Sequence, residues 1–296
     1  MTGGQARRLL SSASNAATRK ARVWTHREQH HRVGGVEMVL PPGHQLPYFQ
    51  RRHPTYDAYA EPLLARLAAD IDSMLLIDVG ANVGDTAVAA MSAAPNIRVL
   101  SVEGNAEFCD YWRRNTRPFA DRCTLVEGFV GPIVGGYRYA DDGSTGRFTP
   151  VSVAPPRDDI TWVTPGDLLE RAAGASRVVW KSDMDGFDIH VLAEHWQRIS
   201  TQSDVIWFEY DPCTTAGDPH DVERLLEHVD GSGVGLSIYD NLGRRMVTRP
   251  VGSSVPTLAD LTQWLRQQRR GQVTVPYLDV WAFRTDDDLA TALSSP

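Results

Sequence analysis

Residues 75–86 read LLIDVGANVGDT, and this stretch decides how the rest of the chain is interpreted. An apolar run is followed by Gly80, Asn82 and Gly84, and short apolar runs that end at glycine are typical of buried strands. The segment 85–94 is rich in alanine and predicts a helix. A strand, a glycine turn and a helix N-terminus bring backbone N–H groups close to a bound ligand. We therefore expect a ligand site here, with glycine leaving room for the ligand's close approach.

The composition limits the class of protein. The 296 residues are 42% hydrophobic and 23% charged, with a formal net charge of −7, which is ordinary for a soluble globular protein. The negative charge argues against a nucleic-acid partner, and no apolar run is long enough for a membrane span. The three cysteines, Cys109, Cys123 and Cys213, form no CxxC pair. This usage favours a reducing compartment, so we expect a cytoplasmic protein.

The N-terminal stretch differs from the rest of the chain. Residues 1–27 are rich in Arg, Ser and Ala and contain no acid, which resembles an organellar transit peptide. A basic extension without a targeting role is the alternative. We predict an N-terminal extension over 1–45, with a short strand at 36–40, and a main domain over 46–296.

Predicted strands and helices alternate through the main domain. This alternation implies a mostly parallel sheet with helices on both faces, and such sheets bind ligands at the carboxyl ends of their strands. A polar, glycine-rich segment, 134–156, interrupts the alternation and is predicted to be an inserted loop or hairpin. After the opening strand, the predicted strands are 98–102, 123–127, 177–182, 205–209, 234–239 and 277–283.

Acidic residues stand at the ends of five predicted strands. In a parallel sheet they converge on one edge, although each alone is equally well explained as a helix cap or a solvated acid. An acid about 20 residues past a glycine turn commonly binds ribose hydroxyls, and Glu103 has that position. The ligand is therefore expected to contain a nucleoside. The five acids are Asp78, Glu103, Glu127, Asp183 and Glu209.

The charge of the glycine loop narrows the choice of nucleoside. A dinucleotide-binding loop has glycine where this chain has Asn82, and its helix N-terminus faces a pyrophosphate. Here Asp85 places a negative charge at the helix start, which repels a phosphate. S-adenosylmethionine carries a sulfonium and an ammonium group and no phosphate. The loop therefore favours S-adenosylmethionine over a nicotinamide dinucleotide.

Four motifs resemble the FkbM family of S-adenosylmethionine-dependent methyltransferases, in order and with similar spacing over about residues 56–239. The segment Lys181-x-Asp183-x-Asp185-Gly186 is the most specific of them. The chain departs from the family pattern at Gly104, where proline is usual, and at Asp185, where glutamate is usual. These departures bear mainly on which acceptor is used. The motifs are IDVGANVGDTA (77–87), VLSVEGNAEF (99–108), VTPGDLL (163–169) and VVWKSDMDGFDIHVL (178–192).

The resemblance implies a class I methyltransferase, with a Rossmann-like sheet of about seven mostly parallel strands. The expected activity is methyl transfer to a hydroxyl group of a sugar or natural-product scaffold, with a small hydroxylated molecule as partner. In this interpretation Glu103 binds the ribose, and Glu127 or Phe129 contacts the adenine. The residues expected to bind S-adenosylmethionine are Asp78, Gly80, Asn82, Gly84, Asp85, Glu103, Asn105, Glu127, Phe129 and Glu61.

The expected catalytic residues follow the fourth strand. A hydroxyl acceptor loses a proton during transfer, and Asp183 is the first choice of base because it ends that strand beside the donor. Lys181 is the alternative base if burial lowers its pKa, although it is equally well explained as an ion-pair partner. Asp185 is a third candidate, unless it serves only as a turn. A divalent cation such as Mg²⁺ on Asp183, Glu209 and Asp211 stays open but is not predicted.

Two other functions are compatible with a nucleoside-binding sheet. A nicotinamide-dependent oxidoreductase is disfavoured by Asn82 and by the lack of a recognisable hydride-transfer pair. A non-catalytic module that retains the nucleoside site is the other alternative. Binding of S-adenosylhomocysteine would indicate the methyltransferase, and binding of NADH would indicate the oxidoreductase.

Overall fold

The computed structural model describes residues 27–131, 137–141, 144, 146–150 and 161–293. The basic stretch 1–26, and with it most of the transit-peptide-like composition, lies outside the described residues. The strands are β1 (Gln29–Val33), β2 (Val36–Leu40), β3 (Met74–Val79), β4 (Ile97–Glu103), β5 (Cys123–Glu127), β6 (Phe129–Val130), β7 (Tyr137–Asp141), β8 (Gly146–Pro150), β9 (Trp162–Val163), β10 (Arg177–Ser182), β11 (Val205–Tyr210), β12 (Gly235–Asp240), β13 (Arg245–Arg249) and β14 (Leu278–Phe283). The helices are α1 (Leu46–Arg52), α2 (Ala60–Leu67), α3 (Asp85–Ala93), α4 (Ala106–Thr116), α5 (Pro165–Glu170), α6 (Asp188–Gln202), α7 (Asp221–Gly231), α8 (Thr257–Gln268) and α9 (Asp286–Leu293).

The main sheet has eight strands in the order β13-β12-β14-β11-β10-β3-β4-β5. Strands β5, β4, β3, β10 and β11 pair in parallel, whereas β14 is antiparallel to both of its neighbours and β13 is antiparallel to β12. Strand order reverses at β3 and β10, which are adjacent. The predicted fold class, a mostly parallel α/β sheet with helices on both faces, is confirmed.

Strand β3 is the centre of this sheet. All six of its residues, MLLIDV, are buried, and it pairs in parallel with β4 on one side and β10 on the other. Continuous burial is expected of a central parallel strand, because helices cover both faces. Helices α2, α3 and α9 pack on one face through residues such as Leu63, Ala87 and Leu289. Helices α5 to α8 pack on the other face.

The N-terminal segment forms a hairpin rather than a single strand. Strands β1 and β2 pair antiparallel, and Met38 and Leu40 pack with Val88 and Phe108 of α3 and α4. This hairpin therefore lies beside the glycine loop between β3 and α3. The predicted boundary at residue 45 stays a prediction.

Two hairpins differ from the simple alternation. The predicted insertion at 134–156 contains the antiparallel pair β7 and β8 on its described residues. The edge strand β13 was not expected from the sequence, because RMVTR at 245–249 is short and mostly polar. Among the described strands it pairs with β12 alone, and polar side chains are usual on an edge strand.

Candidate functional site

Acidic side chains meet at the edge of the sheet where the parallel strands end. Glu103, Asp183 and Glu209 lie at or just beyond the ends of β4, β10 and β11, as predicted from the sequence. Asp279 joins them from β14, where it pairs in register with Glu209. Since β14 is antiparallel, its beginning lies at the edge where the other strands end. An expectation based on strand ends therefore missed Asp279.

The two loop glycines are required by protein packing. Gly80 has φ of +76°, and a Cβ there would lie 1.8 Å from the backbone oxygen of Asp183. Gly84 has φ of +86°, and its Cβ would lie 2.9 Å from the ring of Trp112. Both residues therefore allow the β3 loop to contact other parts of the protein closely. This differs from the expected reason, which was room for a ligand.

A cleft of about 560 Å³ lies between the loops that follow β3, β4 and β10. We call it the loop cleft. Its walls are mostly apolar, and two predicted donor residues, Glu103 and Phe129, are among its lining residues. The residues that line it include Gly80, Asn82, Glu103, Phe129, Met184 and Phe187.

Glu103 is the fixed carboxylate of the loop cleft. One of its oxygens accepts a hydrogen bond of 2.8 Å from the backbone N–H of Asn82, and the other accepts one of 2.8 Å from the backbone N–H of Asn105. Burial raises the pKa of Glu103, and these backbone N–H groups oppose the rise. The side chain is therefore oriented by the glycine loop, and its remaining lone pairs are available to hydroxyl groups in the cleft.

A buried ion pair lies beneath the glycine loop. Lys181 Nζ lies 3.1 Å from Asp78 Oδ1 and donates to the backbone oxygen of Gly80 at 3.4 Å. The two side chains are 4% and 0% exposed. Burial by itself would lower the pKa of Lys181, but Asp78, Asp183 and Asp85 raise it above the ordinary lysine value. The charged form is therefore favoured, which supports the ion pair left open by the sequence.

A second cavity, of about 1560 Å³, opens beside the loop cleft. We call it the rim cavity. It shares Gly80, Asn82, Asp183 and Asp185 with the loop cleft, so the two spaces meet at the β3 and β10 loops. The acids that line it are Asp57, Asp85, Asp183, Asp185, Glu209, Asp211 and Asp279.

The rim cavity is strongly acidic because its basic residues are already paired. Among its described lining residues, lysine and arginine are represented by Lys181 and Arg269. Arg269 lies 3.4 Å from Asp211. Lys181 is held by Asp78 and lies 3.5 Å from Asp183. Burial, followed by the nearby charge of Asp183, raises the pKa of Glu209 well above its usual value.

Asp279 is held by a chain of hydrogen bonds on the α2 face of the sheet. Trp281 Nε1–H donates to the Tyr59 hydroxyl at 3.3 Å, and Tyr59 is hydrogen-bonded to the Asp279 carboxylate. Burial raises the pKa of Asp279 to about 7, and Asp183 adds to the rise, while Tyr59 and Lys181 oppose it. A carboxylate with a pKa near the working pH is suited to proton transfer.

The N-terminal segment and the inserted segment close the rim cavity above the glycine loop. Asn82 Nδ2 donates to the backbone oxygen of Ser144 at 2.8 Å, and the backbone N–H of Gln45 donates to Ser144 Oγ at 3.1 Å. His44 Nε2 lies 3.5 Å from Asn82 Oδ1. Asn82 has φ of +48°, so this contact depends on a loop conformation that asparagine tolerates better than most residues.

Three predicted donor residues lie away from the loop cleft. Glu127 pairs with Arg113 on the surface, and its side chain is 59% exposed. Glu61 lines a separate small cavity beside Asp85. Asn105 caps α4, because its side chain accepts from the backbone N–H groups of the next turn. As donor contacts these three side chains stay predictions.

Three further predicted residues support the site from outside the cleft. Asp78 is buried against Lys181 and lines neither space. Gly84 caps α3 in the left-handed conformation. Asp85 lines the rim cavity, where burial raises its pKa and Lys181 opposes the rise. Of the other predicted residues, Gly80, Asn82, Glu103 and Phe129 line the loop cleft.

The described residues contain neither a candidate metal-binding cluster nor a candidate membrane-spanning helix. Within 27–131, 137–141, 144, 146–150 and 161–293, no group of three or more His, Cys, Asp or Glu side chains has the geometry to hold a metal ion. In the same part of the chain, no helix is both long and apolar enough to cross a membrane.

The chain matches no family profile and is not similar in sequence to a curated protein. Solved structures do align with it. A precorrin-6y C5,15-methyltransferase from Geobacter metallireducens is 15% identical, with a TM-score of 0.40, over 77% of this chain and 88% of the other. The O-methyltransferase from Bacillus cereus, solved in complex with SAH, is 12% identical, with a TM-score of 0.41, over 77% and 80%.

Cofactor-bound Rv0187 from MTB is 15% identical, with a TM-score of 0.40, over 81% of this chain and 90% of the other. Similarity at this level carries no argument about ligand or reaction. The ligand of this chain therefore has to be inferred from its own residues.

Proposed function

We propose that this chain is an S-adenosylmethionine-dependent O-methyltransferase of the FkbM type. The observation that carries the proposal is the junction of two spaces at the β3 and β10 loops. The loop cleft presents an oriented carboxylate and apolar walls, which suit a nucleoside, and the larger rim cavity has room for a small polar acceptor. Methyl transfer needs this arrangement, because donor and acceptor must meet in line.

The loop cleft fits the donor in three respects. Glu103 presents an oriented carboxylate for the ribose hydroxyls. Phe129, Met184 and Phe187 offer apolar surface for the adenine. The methionine end and the sulfur would lie towards Gly80 and the junction, where acidic groups favour a cation and disfavour a pyrophosphate. This charge also argues against the nicotinamide-dependent alternative.

S-adenosylmethionine supplies a methyl group on a cationic sulfur, ready for displacement. The protein positions the acceptor hydroxyl in the rim cavity and accepts its proton. Asp183 lies at the junction, and its side chain is 48% exposed, so it is the proposed base. Asp185 is at the same junction, and Asp279 lies deeper in the rim cavity as an alternative proton acceptor. Lys181 holds the β3 and β10 loops together, and since its pKa is raised and its charged form favoured, it is not proposed as a base.

The acceptor is proposed to be a small hydroxylated molecule, such as a sugar or a natural-product scaffold. Polar groups from several elements line the rim cavity, including His44, Asp57 and Glu209. These residues suit a ligand with several hydrogen-bonding groups. A cytoplasmic location and the lack of a nucleic-acid partner stay predictions.

Calorimetric titration tests the proposed donor directly. S-adenosylhomocysteine should bind saturably with one site per chain, and NADH should give no binding heat at the same concentrations. Binding of NADH without binding of S-adenosylhomocysteine would contradict the proposal and favour the oxidoreductase. Release of S-adenosylhomocysteine from the methyl donor with hydroxylated acceptors then distinguishes an enzyme from a binding module.

A further inference from the structure

Gly104 lies between the ribose carboxylate and the start of α4, at a position where the sequence departs from the family pattern. A Cβ at this position would lie 2.3 Å from two ring carbons of Phe129. The contact is with a side-chain ring, and the backbone of Gly104 is outside the left-handed region. Alanine at 104 would therefore be free of backbone strain. Its cost would arise from the position of the Phe129 ring.

The Phe129 ring is packed against neighbouring aromatic rings. Strand β6, which carries it, pairs with β9, and the backbone N–H of Phe129 donates to Thr161 at 2.9 Å. The ring lies 6.2 Å from the ring of Trp162 and packs with Phe187. The loop cleft is the open space beside it, and Phe129 lines that cleft. A ring displaced from Gly104 would therefore move into the cleft.

From this geometry we infer that Gly104 is a positioning residue for the donor nucleoside. Its missing side chain leaves room for the Phe129 ring against the β4 loop, as part of the wall of the loop cleft. The ring then stands beside Glu103, so one wall presents a stacking surface next to the carboxylate proposed for the ribose. This inference rests on the proposed function, because it assigns the nucleoside half of the same donor site.

The inference predicts which half of the donor is sensitive to residue 104. A methyl group at 104 would obstruct the adenosine end, whereas the methionine end lies towards Gly80. S-adenosylhomocysteine and 5′-methylthioadenosine should therefore lose affinity by the same factor in Gly104→Ala. Overpacking of this kind should weaken both ligands by about 10-fold, which corresponds to about 1.4 kcal/mol.

A double-mutant cycle with Phe129 tests the mechanism. Phe129→Ala should weaken both ligands by itself, since base stacking on an aromatic ring is worth about 1–3 kcal/mol, or about 5- to 150-fold. With the ring removed, adding Gly104→Ala should change affinity less than about 2-fold, because nothing is left to displace. Gly231→Ala is the matched control, since no atom lies within 4 Å of a Cβ at that helical glycine.

Titration calorimetry on the four proteins of the cycle and on the Gly231→Ala control measures ligand affinity. Thermal unfolding of the same proteins measures stability separately. If wild type does not bind S-adenosylhomocysteine, the proposed function fails. If wild type binds and Gly104→Ala binds equally well, the inference alone is wrong. An equal loss from Gly104→Ala in both backgrounds also overturns it, because the effect would then be independent of Phe129. Should Gly104→Ala fail to fold, the comparison of Phe129→Ala with the double variant decides: equal affinity supports the inference, and a further loss contradicts it.

Discussion

The loop cleft and the rim cavity share two loops but are built in different ways. The loop cleft is small and mostly apolar, and its carboxylate, Glu103, is satisfied by backbone N–H groups that follow β3 and β4. The rim cavity is larger, and its acids come from the segment before α2, from the start of α3, from β11 and β14, and from the loops that follow β10 and β11. The oriented carboxylate of the proposed donor side thus depends on local sequence, and the proposed acceptor side depends mostly on distant segments. The two sides should respond separately to substitution.

The sharpest separation is expected from Asp183→Asn. Loss of a general base lowers turnover by about 10²- to 10⁴-fold, while S-adenosylhomocysteine binding should stay within about 3-fold, because the ribose and adenine contacts are untouched. Turnover is measured as S-adenosylhomocysteine release with a hydroxylated acceptor that the wild type methylates. Unchanged turnover would remove Asp183 from the catalytic role and leave Asp185 and Asp279 as the candidate bases.

Lys181→Met should remove the ion pair that joins β10 to β3 beneath the glycine loop and should destabilise the protein. Removing the cation leaves Asp78 buried and unpaired, which costs about 3–5 kcal/mol in the free energy of unfolding. Urea denaturation measures this loss. Arg98→Met is the matched control, because Arg98 is exposed on β4, a strand of the same sheet. It should change stability by less than about 0.5 kcal/mol. A mild effect of Lys181→Met, similar to the control, would show that Asp78 is neutral in the folded protein.

Glu103→Ala should act on the donor side alone. It removes the proposed ribose contact and leaves two backbone N–H groups without their acceptor, which should weaken S-adenosylhomocysteine by about 1–3 kcal/mol. Glu103→Gln keeps the shape of the side chain and should weaken binding less. If both variants bind like the wild type, the ribose does not lie on Glu103.

The effect of Asp279→Asn on stability should depend on pH. The folded-state pKa of Asp279 is about 7, against an ordinary value of 3.8. The folded protein thus binds this proton more tightly than the unfolded chain. The contribution of Asp279 to stability is therefore greatest below about pH 4 and decreases until about pH 7. Other titratable groups surround the carboxylate, so only the difference between variant and wild type isolates the contribution of Asp279 to stability. These groups are Asp183, Lys181, Glu209, Asp240 and Tyr59.

Urea denaturation of both proteins from pH 4 to 8 measures that difference. The stability of Asp279→Asn relative to wild type should increase between about pH 4 and pH 7 and then level off. A difference that is constant with pH would mean that Asp279 titrates near its ordinary value.

Much of the donor side was predictable from sequence because its signals are local. The apolar run of β3, the glycines and the acid that ends β4 lie within about 30 residues of one another, and strand and loop patterns extend over such distances. The pattern does not specify what each glycine contacts. Gly80 meets Asp183, and Gly84 meets Trp112, through tertiary packing alone.

The acceptor side was less predictable because its geometry depends on strand direction and on long-range pairing. Asp279 reaches the site only because β14 is antiparallel, and a list of acids at strand ends omits it. Glu127 had the expected position at the end of β5, yet its side chain turns outwards to Arg113. Strand alternation does not explain this, because Glu127 pairs in register with Glu103, which places both residues on the same face of the sheet. The difference lies in the nearby guanidinium of Arg113, with which Glu127 forms an ion pair.

The most direct test of the two-space account is a crystal structure of the protein with S-adenosylhomocysteine. The account predicts ribose hydroxyls within hydrogen-bond distance of Glu103, adenine against Phe129, and the sulfur at the junction facing Asp183 and the rim cavity. A nucleoside bound in the rim cavity, or a sulfur directed away from Asp183, would contradict it.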